Sequence, residues 1–332
     1  PRPGQRRRAG AQDRGTGMFN LSDGVRKALI IGPTQLLPAA ARVALRRRYL
    51  ARLELAKAHK AAFLIIGHPK SGNTWLKVMI SRLYQLRYDL PESTLINTDE
   101  FARRIPEIPR LAATNGCYSY EQEVGARLEA DAADDPLRHK PVLFLARHPI
   151  DIAVSWYHQF TRRQSRAKQE LINASIPHPI DRRSISMWDF VRHSDIGLPF
   201  LIDYQNRWAH NIRALPRGLL VRYEDLRAEP VPTLGRILEH VGHPFPEAEV
   251  RAAVEWGSFD NLQQLETRGT FRQGGMKLVN RNDPSTFKVR RGKVGGYRED
   301  FEAAQVAELE ALVRDGIDPS LGYCLDDGSA AA

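Results

Sequence analysis

Lys70, Ser71, Asn73 and Thr74 stand within residues 68–75, the run HPKSGNTW. They offer an ammonium, two hydroxyls and an amide around Gly72. Such a set suits a phosphate or sulfate, which takes donors and positive charge from several directions. The flanking residues say how the set is held. Residues 61–66, AAFLII, are an apolar run of strand length; residues 67–72 supply Gly, Pro, Lys and Ser; Trp75, Val78, Met79, Leu83 and Leu86 then recur at helical spacing. This predicts strand, tight loop and helix, with the loop N–H groups and the helix N-terminus aimed at one spot. Against the nucleotide-triphosphatase pattern G-x-x-x-x-G-K-S/T, Gly67 and Gly72 match, but Asn73 holds the lysine position and the lysine lies inside the loop, at Lys70.

Two further segments carry anion-binding residues. Residues 141–147, PVLFLAR, predict a central parallel strand, and Pro149 suits the first turn of a helix with Ile152, Trp156 and Phe160 on one face. Arg147 then leaves the strand at its C-terminal edge, where open α/β sheets bind ligands, and Ser155 lies two turns along the helix. A P-loop kinase would have a magnesium-holding aspartate at such a strand end. An arginine fork needs no metal for a phosphate, although an arginine paired with a surface carboxylate fits this strand alone equally well. Residues 287–301, FKVRRGKVGGYREDF, set basic side chains among three glycines, so backbone and Arg290 and Arg291 could both approach an anion.

Together these segments resemble the cytosolic-type sulfotransferases. Residues 68–75 are similar to that family's 5′-phosphosulfate loop, Tyr-Pro-Lys-Ser-Gly-Thr-Thr-Trp, with His68 and Asn73 as the departures. RHPIDIAVSWYHQF resembles its 3′-phosphate segment, with Arg147 and Ser155 at the family spacing. Residues 290–295 resemble its Arg-Lys-Gly-x-x-Gly signature as Arg290-Arg291-Gly292-Lys293-Val294-Gly295, with Gly296-Tyr297 replacing Asp-Trp and Phe287 one residue early. Tyr223-Glu224-Asp225 follows a predicted strand, which would put Tyr223 near an adenine. Gly257-Ser258-Phe259 matches the family's Thr-Ser-Phe only at Ser258 and Phe259.

The resemblance spans residues 61–325. It implies a single α/β domain with a three-layer P-loop-type fold, a central mostly parallel sheet flanked by helices. It also implies metal-independent transfer of a sulfuryl group from 3′-phosphoadenosine 5′-phosphosulfate to a hydroxyl or amine. Lys70 would stabilise the leaving oxygen, beside Ser71, Gly72, Asn73, Thr74 and Trp75. The family's histidine base has Asn115 as its counterpart, and an amide takes no proton at neutral pH. Asp99 or Glu100 would then be the base, with His139 or weak catalysis as further options. The acceptor would be a small molecule, lipid or carbohydrate bound by residues 89–120, 161–186 and 263–286.

The net charge of +10 is uneven: residues 1–60 hold 14 basic and 3 acidic residues, and the remainder holds 35 against 36. Residues 1–17 are polar and Arg-rich and predict a disordered tail, with Met18 a candidate start. Residues 18–60 predict a basic helical arm in which Leu45, Tyr49 and Leu53 form an apolar stripe. A helix packed on the domain with a solvated basic face is the first expectation for it, and peripheral contact of residues 38–60 with the inner face of a membrane the second. No nucleic-acid motif accompanies the charge. Cys117 and Cys324 are the only cysteines and are far apart, which fits a reducing cytoplasm. Two alternatives stand against the sulfotransferase reading: a P-loop kinase, and a catalytically weak nucleotide-binding, membrane-associated protein.

Overall fold

The computed structural model describes residues 23–97, 99–116, 119–129, 132–271, 276, 287–289 and 292–323. The expected tail over residues 1–17, both cysteines, and Arg290 and Arg291 lie outside the described residues.

The chain runs α1 (Asp23–Ile31), α2 (Ala39–Lys60), β1 (Phe63–Ile66), α3 (Asn73–Tyr88), β2 (Leu111–Thr114), α4 (Gln122–Glu129), β3 (Val142–Ala146), α5 (Pro149–His158), α6 (Arg166–Asn173), α7 (Met187–Arg192), α8 (Leu198–Ala214), β4 (Gly218–Arg222), α9 (Tyr223–Ala228), α10 (Pro230–His240), α11 (Glu247–Trp256), α12 (Phe259–Arg268) and α13 (Ala303–Gly316). The strands pair in the order β2-β1-β3-β4, and every pairing is parallel. After β1 the chain goes to one side for β2 and to the other for β3. The C-terminal edge of β1 is thus a switch point where a crevice opens.

Both faces of the sheet are covered, so the central strands read as unbroken apolar runs. Leu64, Ile66, Val142 and Phe144 pack with Trp156, Tyr204 and Trp208 of α5 and α8. The alternate residues Phe63, Ile65, Leu143 and Leu145 pack with Leu76, Met79 and Leu83 of α3 and with α10 and α11. Period-two alternation therefore builds two cores on one sheet. Each fully buried side chain of this size stabilises the fold by roughly 1.5–3 kcal/mol.

The arm packs differently from its sequence pattern. The face of α2 turned to the protein carries Arg46, Leu50, Ala51, Glu54, Lys57 and Ala58, while Tyr49 of the expected stripe is 48% exposed. Charge pairing decides the rotation. Arg46 is 1% exposed, with Nη1 2.8 Å from Glu170 of α6 and Nε donating to Thr34 at 2.7 Å. Arg42 also pairs with Glu170, and Glu54 holds Lys57 and Lys27, each at 2.9 Å. The basic face is only partly solvated, with Arg48 and Arg52 left pointing outward. Among the described residues no helix is long and apolar enough to cross a membrane.

Candidate active site

The loop from β1 to α3 is shaped by two left-handed residues. Lys70 has φ 121° and Gly72 has φ 106°. A Cβ on Gly72 would lie 2.7 Å from Cδ2 of Tyr223, so both backbone angle and contact require glycine there. Gly72 is also the N-cap of α3, and no side chain caps that end. The first N–H groups of α3 face the loop and keep their donors for an anion. Asn73 Nδ2 donates to the Gly67 carbonyl at 3.0 Å, tying the start of the loop to the start of the helix.

Arg147 comes off β3 beside this loop. Its Nη1 donates to the Lys70 carbonyl at 2.9 Å, its Nη2 is 3.8 Å from Asp151, and its Cζ sits 4.4 Å from the Tyr223 ring centre. Its Nε is buried and has no hydrogen-bond partner among the described residues. A buried cationic donor left over in this way suits an anion arriving in the crevice. Asp151 also accepts the Gly295 N–H at 2.9 Å, which brings the C-terminal glycine segment against α5. Burial raises the Asp151 carboxyl above the usual range, opposed by Arg147 and the backbone donors.

An aromatic wall completes one side. Trp75 and Tyr223 stand 5.7 Å apart edge to face, and the indole N–H of Trp75 donates to the Gly257 carbonyl at 2.8 Å. Gly257, where the family motif has threonine, leaves no room for a side chain, since a Cβ would lie 2.8 Å from Met79 Cγ. Gly292 has φ 61°, and a Cβ there would come within 2.5 Å of Phe259.

The crevice encloses about 960 Å³, within the range that holds a nucleotide and a small partner. Lys70, Gly72, Asn73, Thr74, Trp75, Arg147, Ser155, Tyr223, Phe259 and Gly292 all line it. Ser71 is buried beneath the loop and Ser258 is exposed at the start of α12, so neither lines it. His68 is buried against Trp156 and Tyr204, and burial pushes its imidazole down to about 3, so it stays neutral.

The two carboxylates expected as base lie away from the crevice. Asp99 pairs with Arg26 at 3.1 Å, Arg110 at 3.4 Å and Arg103 at 3.7 Å, and neither Asp99 nor Glu100 lines the crevice. His139 is also remote, its Nε2 2.8 Å from the Ala133 carbonyl on the exposed side. The carboxylate beside Asn115 is instead Glu121. Its Oε2 accepts from Asn115 Nδ2, and its Oε1 lies 3.3 Å from Lys168 Nζ. Burial opposes the charge on Lys168, but Glu121 and Tyr120 outweigh it and raise the ammonium above its ordinary range. Glu121 is not visible from sequence because it reads as the first residue of an acidic surface helix.

A family model described as Sulfotransferase domain matches residues 60–319. The chain belongs to the sulfotransferase domain family. Among curated relatives, cytosolic sulfotransferase 14 of Arabidopsis thaliana is 25% identical over 269 residues, covering 74% of this chain and 72% of the relative. Flavonol 3-sulfotransferase of Flaveria bidentis is 24% identical over 277 residues, covering 77% of this chain and 82% of the relative. Among solved structures, a mouse sulfotransferase complexed with PAP aligns at TM-score 0.49 and 19% identity over 76% of this chain and 83% of its own. A retinol dehydratase complexed with androsterone and inactive cofactor PAP aligns at TM-score 0.49 and 16% identity over 85% of this chain and 88% of its own. This sulfotransferase therefore has its sheet edge, β1 loop and β3 arginine inside the matched region.

Proposed function

We propose that this sulfotransferase binds 3′-phosphoadenosine 5′-phosphosulfate across the β1 and β3 edges and passes its sulfuryl group to a small-molecule hydroxyl or amine. The observation that carries the assignment of roles is the 2.9 Å bond from Arg147 to the Lys70 carbonyl, which joins two anion-binding segments at one sheet edge. The 5′-phosphosulfate lies at the α3 N-terminus against Lys70, Gly72, Asn73 and Thr74. The 3′-phosphate takes Arg147 and Ser155, with Arg290 and Arg291 assigned to it by sequence alone. The adenine lies among Trp75, Tyr223 and Phe259. Ser71 and Ser258 act through the backbone turns they occupy.

The reaction is an in-line displacement. The acceptor oxygen or nitrogen bonds to sulfur while the bond from sulfur to the bridging oxygen breaks, and that electron pair stays on the departing 3′,5′-bisphosphate. Catalysis is then mostly positioning plus stabilisation of the bridging oxygen by Lys70 and the α3 N–H groups. By sequence Asn115 is the counterpart of the family's histidine, and we assign it to the acceptor end with Lys168, which lines the crevice beside it; the Glu121 carboxylate, itself outside the lining, holds both. They replace Asp99 and Glu100 as the polar group at the acceptor end.

The kinase alternative finds no support in the matched family, and Arg147 stands where a magnesium-holding aspartate would be. We place the protein in the cytoplasm, in keeping with the cytosolic relatives. Membrane contact through residues 38–60 rests on the exposed Arg48, Arg52 and Lys60, because Arg42 and Arg46 turn inward to Glu170. Calorimetric titration with adenosine 3′,5′-bisphosphate in chelator, against ATP with magnesium, tests the donor. Metal-free binding of the bisphosphate is the expected result, and preference for magnesium-ATP would overturn the reading.

A further inference from the structure

Among the lysines lining the crevice is one, Lys288, that no motif assigns. Lys288 lies two residues before the Arg290-Arg291-Gly292 signature, and its Nζ donates to Thr74 Oγ1 at 2.6 Å. Thr74 is the second residue of α3, so this ammonium reaches the helix N-terminus that the Lys70 loop surrounds.

The segment carrying Lys288 is anchored rather than draped. Glu266, at the end of α12 and 0% exposed, accepts the Lys288 N–H at 2.7 Å with one carboxylate oxygen and the Val289 N–H at 2.9 Å with the other. Arg163, 3.5 Å from Glu266, balances that buried charge. The carboxylate is thus occupied by two backbone donors and a guanidinium, while the Lys288 side chain extends to Thr74 and, with Lys77, lines the crevice. Desolvation, with the Arg163 and Lys77 charges, pushes the Lys288 ammonium down to about 7 despite the opposing pull of Glu266. An anion arriving at Thr74 would relieve that repulsion and restore the proton.

We propose that Lys288 is a catalytic residue that contacts the sulfuryl oxygens of the bound donor, facing Lys70 across the α3 N-terminus. The role rests on the sulfotransferase reading of the site and adds a group to it. During transfer, an attacking oxygen bonds to sulfur as the S–O bond to the 5′-phosphate breaks. The electron pair remains on the bridging oxygen and the attacker's proton goes to solvent. Lys70 neutralises the bridging oxygen, and Lys288 neutralises the sulfuryl group in flight. This division needs a permanent cation at position 288 rather than a base.

The two chemical forms of the nucleotide separate this role from general donor binding, because adenosine 3′,5′-bisphosphate lacks the sulfuryl group. Affinities of both forms are measured by competition for the wild type, Lys288→Ala and Lys288→Arg, with release of labelled sulfate from the donor in water as a second readout. Lys288→Ala is expected to weaken the phosphosulfate about tenfold or more while changing bisphosphate affinity less than about threefold, the size of one charge-assisted hydrogen bond. Lys288→Arg should recover most of the loss. Equal weakening of both nucleotides, no weakening of either, or an arginine variant as impaired as the alanine variant would each overturn the role. A wild-type protein that binds neither nucleotide would instead overturn the donor site itself, and this role with it.

Discussion

Replacing Arg147 by alanine tests whether the β3 arginine reads the 3′-phosphate or only braces the loop. The guanidinium has an internal contact on each side: it donates to the Lys70 carbonyl at 2.9 Å and approaches Asp151 at 3.8 Å. Its Nε has no partner among the described residues. A charge-assisted contact to a phosphate is worth about 1.5–3 kcal/mol, and a lost bond to a neutral carbonyl about 1 kcal/mol. Arg147→Ala should therefore weaken adenosine 3′,5′-bisphosphate by about 2.5–4 kcal/mol, or roughly 70–900-fold in Kd. Adenosine 5′-monophosphate lacks the 3′-phosphate and should lose only the bracing contribution, roughly fivefold. Calorimetry on both nucleotides, with circular dichroism to check that the variant is folded, gives the comparison. Equal losses for the two nucleotides would refute the phosphate role and leave Arg147 a loop brace.

Three other perturbations follow from the geometry. Gly72→Ala forces a Cβ into φ 106° and to 2.7 Å from Tyr223; the strain should cost about 1–3 kcal/mol, read as a lowered Tm, and bisphosphate affinity should fall with it. Phe144→Ala removes a fully buried ring packed near Tyr204 and Trp208 and should destabilise the fold by about 3–5 kcal/mol, measured by urea unfolding. Burial pushes the Glu54 carboxyl up, but Lys27 and Lys57 outweigh it and hold it down to about 2. A depressed carboxylate stabilises above its unfolded value near 4.5 and loses that contribution as pH falls toward 2, so the advantage of wild type over Glu54→Gln, on the order of 3 kcal/mol at neutral pH, should shrink across that window.

The parts of the fold that the sequence made legible are those whose burial is one-sided or complete. Phe63–Ile66 and Val142–Ala146 are covered on both faces, so their composition alone marks them as central strands. By contrast β2 is LAAT, an edge strand of small residues with no periodic signal. The rotation of α2 was also hidden. Its buried face includes Arg46, Glu54 and Lys57, and hydrophobic spacing cannot find a face whose partners are charges from α1 and α6. The same limit hid Glu121 and Lys288. Each acquires its place through a contact distant in sequence: Glu121 with Lys168, and Lys288 with Thr74. The loop motif was readable because its residues are consecutive and the backbone itself forms the cradle.

Moving the lysine from the helix start into the loop changes what the site can couple. With asparagine at 73, the side chain closes the loop onto the Gly67 carbonyl and supplies no charge. The charge comes from Lys70, whose backbone has φ 121°, outside the region non-glycine residues favour. Strain of that kind persists only where neighbours over-determine it, and here the neighbour is Arg147 holding the Lys70 carbonyl. On the proposed roles, the group assigned to the 3′-phosphate therefore also braces the loop that carries Lys70, the group assigned to the bridging oxygen. In a triphosphatase loop the lysine sits on the helix and needs no such brace. On the proposed donor site, this brace would tie reactivity at the 5′ end of the donor to the 3′-phosphate, the group that distinguishes this nucleotide from ATP.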